Sequence, residues 1–254
     1  MSKLLKFLFG SLLGKLILAF FVLGVAPAAI VGVISYQKAA SSLTDESFAK
    51  LEAVRGIKTS QIEGYFNERL GDVSVLSSNA TVVEAISAFE HAFMEEGGVD
   101  NGPLYAAAVA EYGDWLTQYN DEYGYYDLFL IAENGDVVWT AFKESDLGEN
   151  LVTGSLSGSP LGAVFQKGLS AISVQDFAAY APSGGVPAGF VSAPVYAGGD
   201  VEGVVALQLP LEAINTIMQQ RDGMGETGES YLIGFDMKMR TDSFLDPVGH
   251  SVNA

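Results

Sequence analysis

The hydropathy pattern begins with an uncharged apolar run close to the N-terminus. Residues 16–36 read LILAFFVLGVAPAAIVGVISY and contain no charged side chain. A helix needs about 20 apolar residues to cross a hydrocarbon core roughly 30 Å thick. The run therefore predicts a transmembrane helix over residues 16–36, preceded by a short N-terminal segment, residues 1–15.

The charges on either side of this run indicate its orientation. Lys3, Lys6 and Lys15 precede it, and acidic residues dominate after it. The positive-inside rule then places residues 1–15 in the cytoplasm and the chain after the span outside. A cleaved signal peptide is the alternative, because residues 26–29 are small. The apolar run continues past them and exceeds the roughly 7–15 residues of a signal-peptide core, which favours an uncleaved anchor.

Helical periodicity follows the span. Between Leu51 and Leu76, apolar residues recur at spacings near helical multiples with charged residues between them, and no proline interrupts residues 37–94. This pattern predicts one long helix over residues 37–94. Such a length exceeds that of an ordinary globular helix, so we expect it to pack against a domain or a second copy of the chain. The expected assembly is a homodimer through this helix, although its heptads are imperfect.

Beyond residue 103 the period changes to the alternation typical of strands. Five strand candidates lie at residues 126–132, 137–142, 172–180, 188–196 and 202–209. Helices are predicted at residues 104–119, 161–169 and 210–220. Asn134-Gly135 separates the first two strands and favours a hairpin with a type I′ turn. The order of elements predicts an α+β fold with a five-stranded, mostly antiparallel sheet that helices cover on one face.

Net charge excludes one class of partner. The chain carries a formal charge of −18, and residues 37–254 hold 10 basic against 31 acidic residues. A surface this acidic repels phosphates, so no nucleic-acid partner is expected. The chain has no cysteine, which excludes disulfides and thiolate chemistry. Its two histidines, His91 and His250, have no nucleophile or metal-binding partner at a suggestive spacing, so no catalytic residue, metal or cofactor is expected.

Residues 223–228, GMGETG, match the G-x-G-x-x-G pattern of dinucleotide-binding enzymes. That motif needs a strand before it and a helix after it, so that the helix N-terminus can hold the pyrophosphate. Here the predicted helix 210–220 precedes the glycines, and an apolar strand, Tyr231–Phe235, is predicted after them. The context is reversed, which favours a tight connection over a nucleotide site.

A second possible site is an acidic group close to several tyrosines. Asp121, Glu122 and Asp127 could offer oxygen ligands to calcium, but no 12-residue loop of the required spacing is present. We interpret these three carboxylates as part of a solvated face.

Several segments together resemble the double Cache extracytoplasmic sensor domain of bacterial methyl-accepting chemotaxis receptors, histidine kinases and nucleotide cyclases. They are YYDLFLIAENGDVVWT (125–140), KESDLGENL (143–151), DFAAYAPSGGVPAGFVSAPVY (176–196), GVVALQL (203–209) and GMGETGESYLIGFD (223–236). The similarity covers roughly residues 12–243, including the anchor and the long helix.

The resemblance implies a PAS-like Cache fold in the periplasm, attached to a bacterial inner (plasma) membrane. Residues 95–221 would form a membrane-distal module that holds the ligand pocket. Residues 222–254 would begin a second, membrane-proximal module. The family also has a second spanning helix and a cytoplasmic output domain, neither of which follows here, so we expect the chain to be a fragment.

Ligand-site residues are expected from the resemblance and from strand alternation. Amino-acid sensors of the family often hold the ligand amino group with an aspartate at the position of Gln208, and their arginine-plus-aromatic motif is missing at residues 165–168. These departures argue against amino-acid sensing. Alternation places Asp176 and Tyr180 on one face of their strand. The expected small-molecule contacts are Tyr126, Asp176, Tyr180, Phe190, Tyr196 and Gln208. Alternatively, Asp176 caps a turn or faces water and the aromatic residues fill the core.

These observations predict a ligand-sensing extracytoplasmic domain of a bacterial transmembrane chemoreceptor. Three alternatives remain at this point. The same sensor could belong to a histidine kinase or nucleotide cyclase, the chain could be an anchored structural domain without a ligand, or it could be an anchored enzyme, for which no catalytic constellation is found.

Overall fold

A computed structural model describes residues 10–252. The chain forms two compact units, and the boundary along the sequence lies between Ile57 and Lys58. The first unit is helical: α1 (Leu12–Phe20), a π-helical turn (Phe21–Val25) and the start of α2 (Ala26–Ser77). The wider turn lies directly before Pro27, which lacks an N–H and would crowd the carbonyl one turn earlier in a regular α-helix. Residues 1–9 of the predicted cytoplasmic segment lie outside the described residues.

The helical run Leu12–Ser77 is long and apolar enough to cross a membrane. It contains an 18-residue window with a mean hydropathy of 2.7, none of which is buried within the protein. This agrees with the predicted span at residues 16–36.

The predicted single helix over residues 37–94 is wrong in one respect, because the helix breaks after Ser77. The next helix, α3, covers Ala80–Glu96 and has Asn79 as its N-cap. The side-chain oxygen of Asn79 accepts a hydrogen bond from Thr81 N at 2.9 Å. Asparagine is a preferred N-cap because it satisfies a free N–H of the first turn. Two further helices, α4 (Pro103–Ala108) and α5 (Asp114–Tyr123), follow with a π-helical turn at Val109–Gly113 between them.

The predicted five-stranded antiparallel sheet is confirmed. Its strands are β1 (Asp127–Ala132), β2 (Val137–Thr140), β3 (Ser173–Ala179), β4 (Pro187–Ala197) and β5 (Asp200–Leu209), and their order across the sheet is β2-β1-β5-β4-β3. Every neighbouring pair is antiparallel. Helix α6 (Pro160–Gly168) lies between β2 and β3 in the chain, and α7 (Leu211–Gln219) follows β5.

The β1–β2 hairpin is present, but the type I′ prediction for its turn is wrong. That turn requires positive φ at both central residues. Only Gly135 adopts positive φ (96°), while Asn134 does not. Gly135 N instead donates to Ala132 O at 2.9 Å, and the strand register shifts between Leu130 and Ile131. The register shift lengthens the loop between the two strands, and this loop needs a positive φ only at Gly135.

A bulge in β3 overturns the expectation that Asp176 and Tyr180 share one face. Val174 pairs with Val191 and Ala178 pairs with Ala188, with a register shift between Gln175 and Ala178. Val191 and Ala188 point to opposite faces, so the bulge reverses the alternation within the strand. Tyr180 is buried, whereas Asp176 is exposed.

The two faces of the sheet are covered differently. The helix face contains Leu128, Leu130, Val205 and Leu207, which pack into one apolar cluster with residues of α2, α3 and α5. The α6 face contains Phe129, Ile131, Phe190, Val204 and Ala206, and its cluster includes α6 and the loop after β2. Helices therefore cover both faces rather than only one, with a single short helix on the second.

The segment after α7 is irregular. The predicted strand Tyr231–Phe235 is wrong, since this region forms only an isolated bridge between Ile233 and Met239. The glycine-rich stretch before it is a turn in which Gly223 and Gly225 have positive φ. The guanidinium of Arg221 donates to the carbonyls of Gly225, Glu226 and Gly228. These carbonyls accept hydrogen bonds from Arg221 rather than from a neighbouring strand.

Candidate ligand-binding site

Buried polar residues gather at the end of the sheet where β1 begins and β5 ends, on the α6 face. Asp127 of β1 lies opposite Gln208 of β5, and Gln208 lies opposite Phe190 of β4. Directly opposed residues of neighbouring strands share a face, so these three side chains form one row across the centre of the sheet.

Asp127 is fully buried and is held by three donors. Its carboxylate accepts hydrogen bonds from Leu128 N at 2.7 Å, from Phe142 N at 2.9 Å and from Thr140 Oγ1 at 2.8 Å. Burial raises the pKa of Asp127 to about 7, although the bonds from Phe142 and Thr140 act in the opposite direction. The carboxyl group therefore changes its charge near neutral pH.

A second buried acid lies in the loop after β2. Asp146 is 0 % exposed, and Tyr180 Oη donates to its Oδ2 at 2.7 Å. Its other oxygen, Oδ1, is buried, and no donor reaches it with hydrogen-bond geometry, although the N–H groups of Asp146 and Leu147 are near enough to the carboxyl to act against the rise of its pKa. Burial raises the pKa of Asp146. The ring of Tyr180 packs edge-on against Phe190, with 5.2 Å between the ring centroids, which fixes the direction of its hydroxyl.

Hydrogen bonds join Glu144 in the same loop to Tyr126, next to Asp127, and through Ser183 to Gln208. Tyr126 Oη donates to Glu144 Oε1 at 2.9 Å, and Ser183 Oγ donates to Glu144 Oε2 at 3.0 Å. Gln208 Nε2 in turn donates to Ser183 Oγ at 3.1 Å. Gln208 Oε1 is a second buried acceptor without a partner. We call this set the polar cluster: Tyr126, Asp127, Thr140, Glu144, Asp146, Tyr180, Ser183 and Gln208.

The polar cluster holds three carboxyl groups and no counter-ion. Within residues 10–252, the salt bridges involve Arg69, Arg240 and His250, none of which pairs with Asp127, Glu144 or Asp146. A buried charge without a partner is unfavourable, which is why both buried aspartates have raised pKa values. The cluster can accept hydrogen bonds and positive charge. It offers no obvious nucleophile, and no metal-binding group of three His, Cys, Asp or Glu was found in the described part of the chain.

Four of the six predicted contacts lie together. Tyr126, Tyr180 and Gln208 belong to the polar cluster, and Phe190 packs against Tyr180. Asp176 lies elsewhere, in an ion pair with Arg240 of the C-terminal segment that contains three hydrogen bonds, the shortest of 2.7 Å. Tyr196 is 49 % exposed and borders a separate cleft of about 470 Å³ near the start of β3.

The acids at the centre of the cluster were not predicted from the sequence. Asp127 was interpreted as part of a solvated face, which is wrong, since it is 0 % exposed. The available signal is its position: it opens a strand, DLFLIA, whose remaining residues are all apolar and which is buried on both faces. Asp146 gave no comparable signal, because the loop around it has the polar composition of a surface loop.

No protein-family model and no curated protein matches the sequence. Solved structures with the same fold are found. The sensor domain of the V. cholerae histidine kinase DctB aligns with a TM-score of 0.52 and 17 % identity over 68 % of this chain and 59 % of that one. The ligand-binding domain of the Campylobacter jejuni chemoreceptor Tlp3, solved with 4-methylisoleucine, aligns with a TM-score of 0.50 and 15 % identity over 73 % and 65 %.

The chain spans less than two thirds of the length of these two structures. At such identities the likeness concerns the fold. The α+β architecture, with a long N-terminal apolar helix and a five-stranded antiparallel sheet, is similar to the fold of these two domains. These neighbours are sensor domains rather than enzymes.

Proposed function

We propose that this chain carries the ligand-sensing domain of a bacterial transmembrane chemoreceptor and that a small solute binds at the polar cluster. The observation that carries the proposal is a buried site with two unpartnered acceptors, Asp146 Oδ1 and Gln208 Oε1. Unpaired buried acceptors are costly and rare in folded proteins. A bound solute that donates hydrogen bonds would satisfy both. The fold of known ligand-binding sensor domains supports the same conclusion.

The proposed organisation keeps the boundaries derived from the sequence. Residues 16–36 span the inner membrane, and residues 37–94 form the helical stalk, whose part after Ser77 packs against the sheet. Residues 95–221 form the membrane-distal module with the ligand site, and residues 222–254 begin the membrane-proximal module. Residues 37–254 then lie in the periplasm.

An alkaline phosphatase reporter, which is active only outside the cytoplasm, is expected to be active when fused at residue 254. An inactive phosphatase with a fluorescent cytoplasmic fusion at the same position would contradict this topology.

The stalk is proposed to pair with a second copy of the chain. Between Tyr36 and Ile57, α2 is exposed except at the half-buried Val54, and Leu43, Leu51 and Val54 form an apolar stripe along it. The chain has no cysteine, so single cysteines report on pairing without background. Leu43→Cys is expected to form a disulfide-linked dimer in membranes, and the matched variant Asp45→Cys, on the opposite side of the helix, is not. Equal cross-linking of both variants would contradict a specific interface.

A contact next to the polar cluster offers a route from the ligand to α2. Tyr125, which precedes the cluster residues Tyr126 and Asp127, donates from Oη to Asp72 Oδ2 at 2.7 Å. Its ring also lies 5.2 Å from the guanidinium of Arg69. Binding that moves the start of β1 would therefore pull on α2. Ligand and signalling state would be coupled by about 1–3 kcal/mol, as in other allosteric proteins.

A thermal-shift screen tests the binding proposal. The full chain in detergent would be mixed with organic acids, amines and amino acids, and unfolding followed by tryptophan fluorescence. A ligand at about one hundred times its Kd stabilises by about 2.7 kcal/mol, which corresponds to a Tm increase of roughly 5–10 °C at this size. The increase is expected to fall in Tyr180→Phe and to persist in the matched variant Tyr196→Phe.

The outcomes of the screen separate the alternatives. A shift that is lost in Tyr196→Phe and kept in Tyr180→Phe would place the site elsewhere. The absence of any shift across the three solute classes would favour an anchored structural domain without a ligand. A histidine kinase or nucleotide cyclase with the same sensor would give the same binding result, and the output domain of the receptor distinguishes these cases.

A further inference from the structure

We infer that the solute bound at the polar cluster carries a positively charged amine, with Asp127 and Asp146 as its counter-ions. This inference rests on the proposed function, since it takes the polar cluster to be the ligand site. It adds the chemical class of the ligand, which the fold alone does not give.

The unpartnered atoms of the polar cluster are both acceptors. Asp146 Oδ1, as a carboxylate oxygen, can only accept a hydrogen bond, and Gln208 Oε1 is also an acceptor without a partner. The amide nitrogen of Gln208 is already used by Ser183, and the hydroxyl of Tyr180 is used by Asp146. The ligand must therefore bring the donors. An ammonium group has N–H donors and no acceptor, which complements such a surface.

The charges of the site also favour a cation. Burial is the largest cause of the raised pKa values of Asp127 and Asp146, and a neighbouring carboxylate adds to each: Asp146 raises the pKa of Asp127, and Glu144 raises the pKa of Asp146. A carboxylate ligand would add a further negative charge to a buried site that has no ion-paired arginine or lysine among residues 10–252. A cation would relieve the repulsion that the site now contains.

The inference also predicts a proton linkage. The titratable groups that interact with Asp127 are Asp146 from the loop after β2, Tyr126 just before β1 and Tyr180 just after β3. Glu144 acts on Asp146, Tyr126 and Tyr180 around it. None of these groups is positively charged and no salt bridge within residues 10–252 involves Asp127, so a bound ammonium would supply it with a counter-charge. Binding would favour the ionised carboxylate, and a proton would leave Asp127 near neutral pH. Affinity for the amine is therefore expected to increase between pH 6 and 8.

Matched solutes of equal size and opposite charge provide the test. The full chain in detergent would be titrated by calorimetry and thermal shift with 1,4-diaminobutane against succinate, and with propylamine against propionate. We expect at least one amine to raise the Tm and neither acid to do so. Asp127→Asn and Asp146→Asn should each weaken the amine more than about tenfold, because each removes a buried counter-charge. Asp176→Asn, an exposed acid outside the cluster, is the matched control and should bind normally.

The results distinguish this inference from the proposed function. Binding of an acid but of neither amine, lost in Tyr180→Phe, would overturn the amine inference and keep the ligand site. If none of the four probes binds and the wider screen finds no ligand, both the amine inference and the proposed ligand site are contradicted. Amine binding that survives both asparagine variants would also overturn the inference.

The wild type gives a second measurement that does not depend on the folding of any variant. Calorimetry of the amine at pH 7 in phosphate and in Tris should differ in apparent enthalpy, because the released proton is taken up by buffers of different ionisation enthalpy. Equal enthalpies in the two buffers and an affinity independent of pH would contradict the proposed pairing with Asp127.

Discussion

The two faces of the sheet differ in what they bury. The helix face contains apolar residues, such as Leu128, Leu130 and Leu207, packed against Phe89 and the other helical side chains. The α6 face is equally buried but carries Asp127 and Gln208 in the same row as Phe190. Apolar packing is sufficient to hold a sheet, whereas buried acids reduce stability unless a partner compensates them. The comparison supports the proposal that the ligand binds on the α6 face, where buried acceptors lack partners, whereas the helix face contributes apolar packing.

The largest expected effect is on the helix face. Phe89 is fully buried, with its ring 5.3 Å from Tyr105 and 6.0 Å from Trp139 between centroids. Phe89→Ala is expected to lower the free energy of unfolding by about 3–5 kcal/mol, because it leaves a cavity in the apolar cluster. Urea unfolding measures the loss. The exposed residue Val75 serves as the control, and Val75→Ala should change stability by no more than about 0.5 kcal/mol. Equal effects would contradict the role given to this face.

The next effect concerns the α6 face and depends on pH. The folded-state pKa of Asp127 is raised from 3.8 to about 7, so the folded protein binds this proton more tightly than the unfolded chain. Its stabilising contribution is complete below about pH 4 and is lost as pH rises through 7. Between pH 5 and 8 we expect a decrease of about 2–3 kcal/mol in the free energy of unfolding.

Asp127→Asn tests the origin of this dependence. The amide oxygen can still accept from Leu128 N and Phe142 N, and the amide nitrogen can donate to Thr140, so the shape of the site is kept. The variant is expected to flatten the dependence between pH 5 and 8. Asp146, whose pKa is shifted in the same direction, would account for the remainder. An unchanged slope in Asp127→Asn would assign the titration to another group.

A smaller effect distinguishes two tyrosines of the sheet region. Tyr180→Phe removes the one hydrogen bond that Asp146 Oδ2 accepts from a side chain, and is expected to lower stability by about 1–3 kcal/mol. Tyr196→Phe, at a half-exposed position, should change it by no more than about 0.5 kcal/mol. Both are measured by urea unfolding at pH 7, and a larger loss for Tyr196→Phe would contradict the burial of the Tyr180–Asp146 pair.

The smallest effect is expected at Asp176. Its side chain is 57 % exposed, and Arg240 keeps a second partner, Asp236, at 2.9 Å. Exposed ion pairs contribute about 0–1 kcal/mol. Asp176→Asn should therefore cost less than about 1 kcal/mol, and high salt should reduce the difference. A loss of several kcal/mol would show that β3 depends on the C-terminal segment for its stability.

Periodicity was enough to predict most of the fold. The apolar span, the order of helices and strands and the five-stranded antiparallel sheet follow from local patterns of apolar and polar residues. The errors occur where one residue changes a local geometry. Asn79 ends one helix and caps the next, and the bulge between Gln175 and Ala178 reverses the face of β3. Strand alternation does not reveal a bulge, so Asp176 was placed beside Tyr180 incorrectly.

The polar cluster was predicted only in part for a related reason. Tyr126, Tyr180 and Gln208 lie on or beside strands, where alternation and the family resemblance are informative. Asp146 and Glu144 lie in a long loop that folds back over the sheet end. Their burial results from tertiary packing, which residue type and spacing do not encode locally.

Hydrogen exchange measured by mass spectrometry locates the ligand on the sheet. The full chain would be compared with and without the amine that gives the largest thermal shift. The account predicts slower exchange in peptides covering residues 126–147 and 180–185, which form the polar cluster, and little change in α3, on the helix face. Protection confined to α3 or to residues 221–252, with residues 126–147 unchanged, would contradict a ligand site on the α6 face.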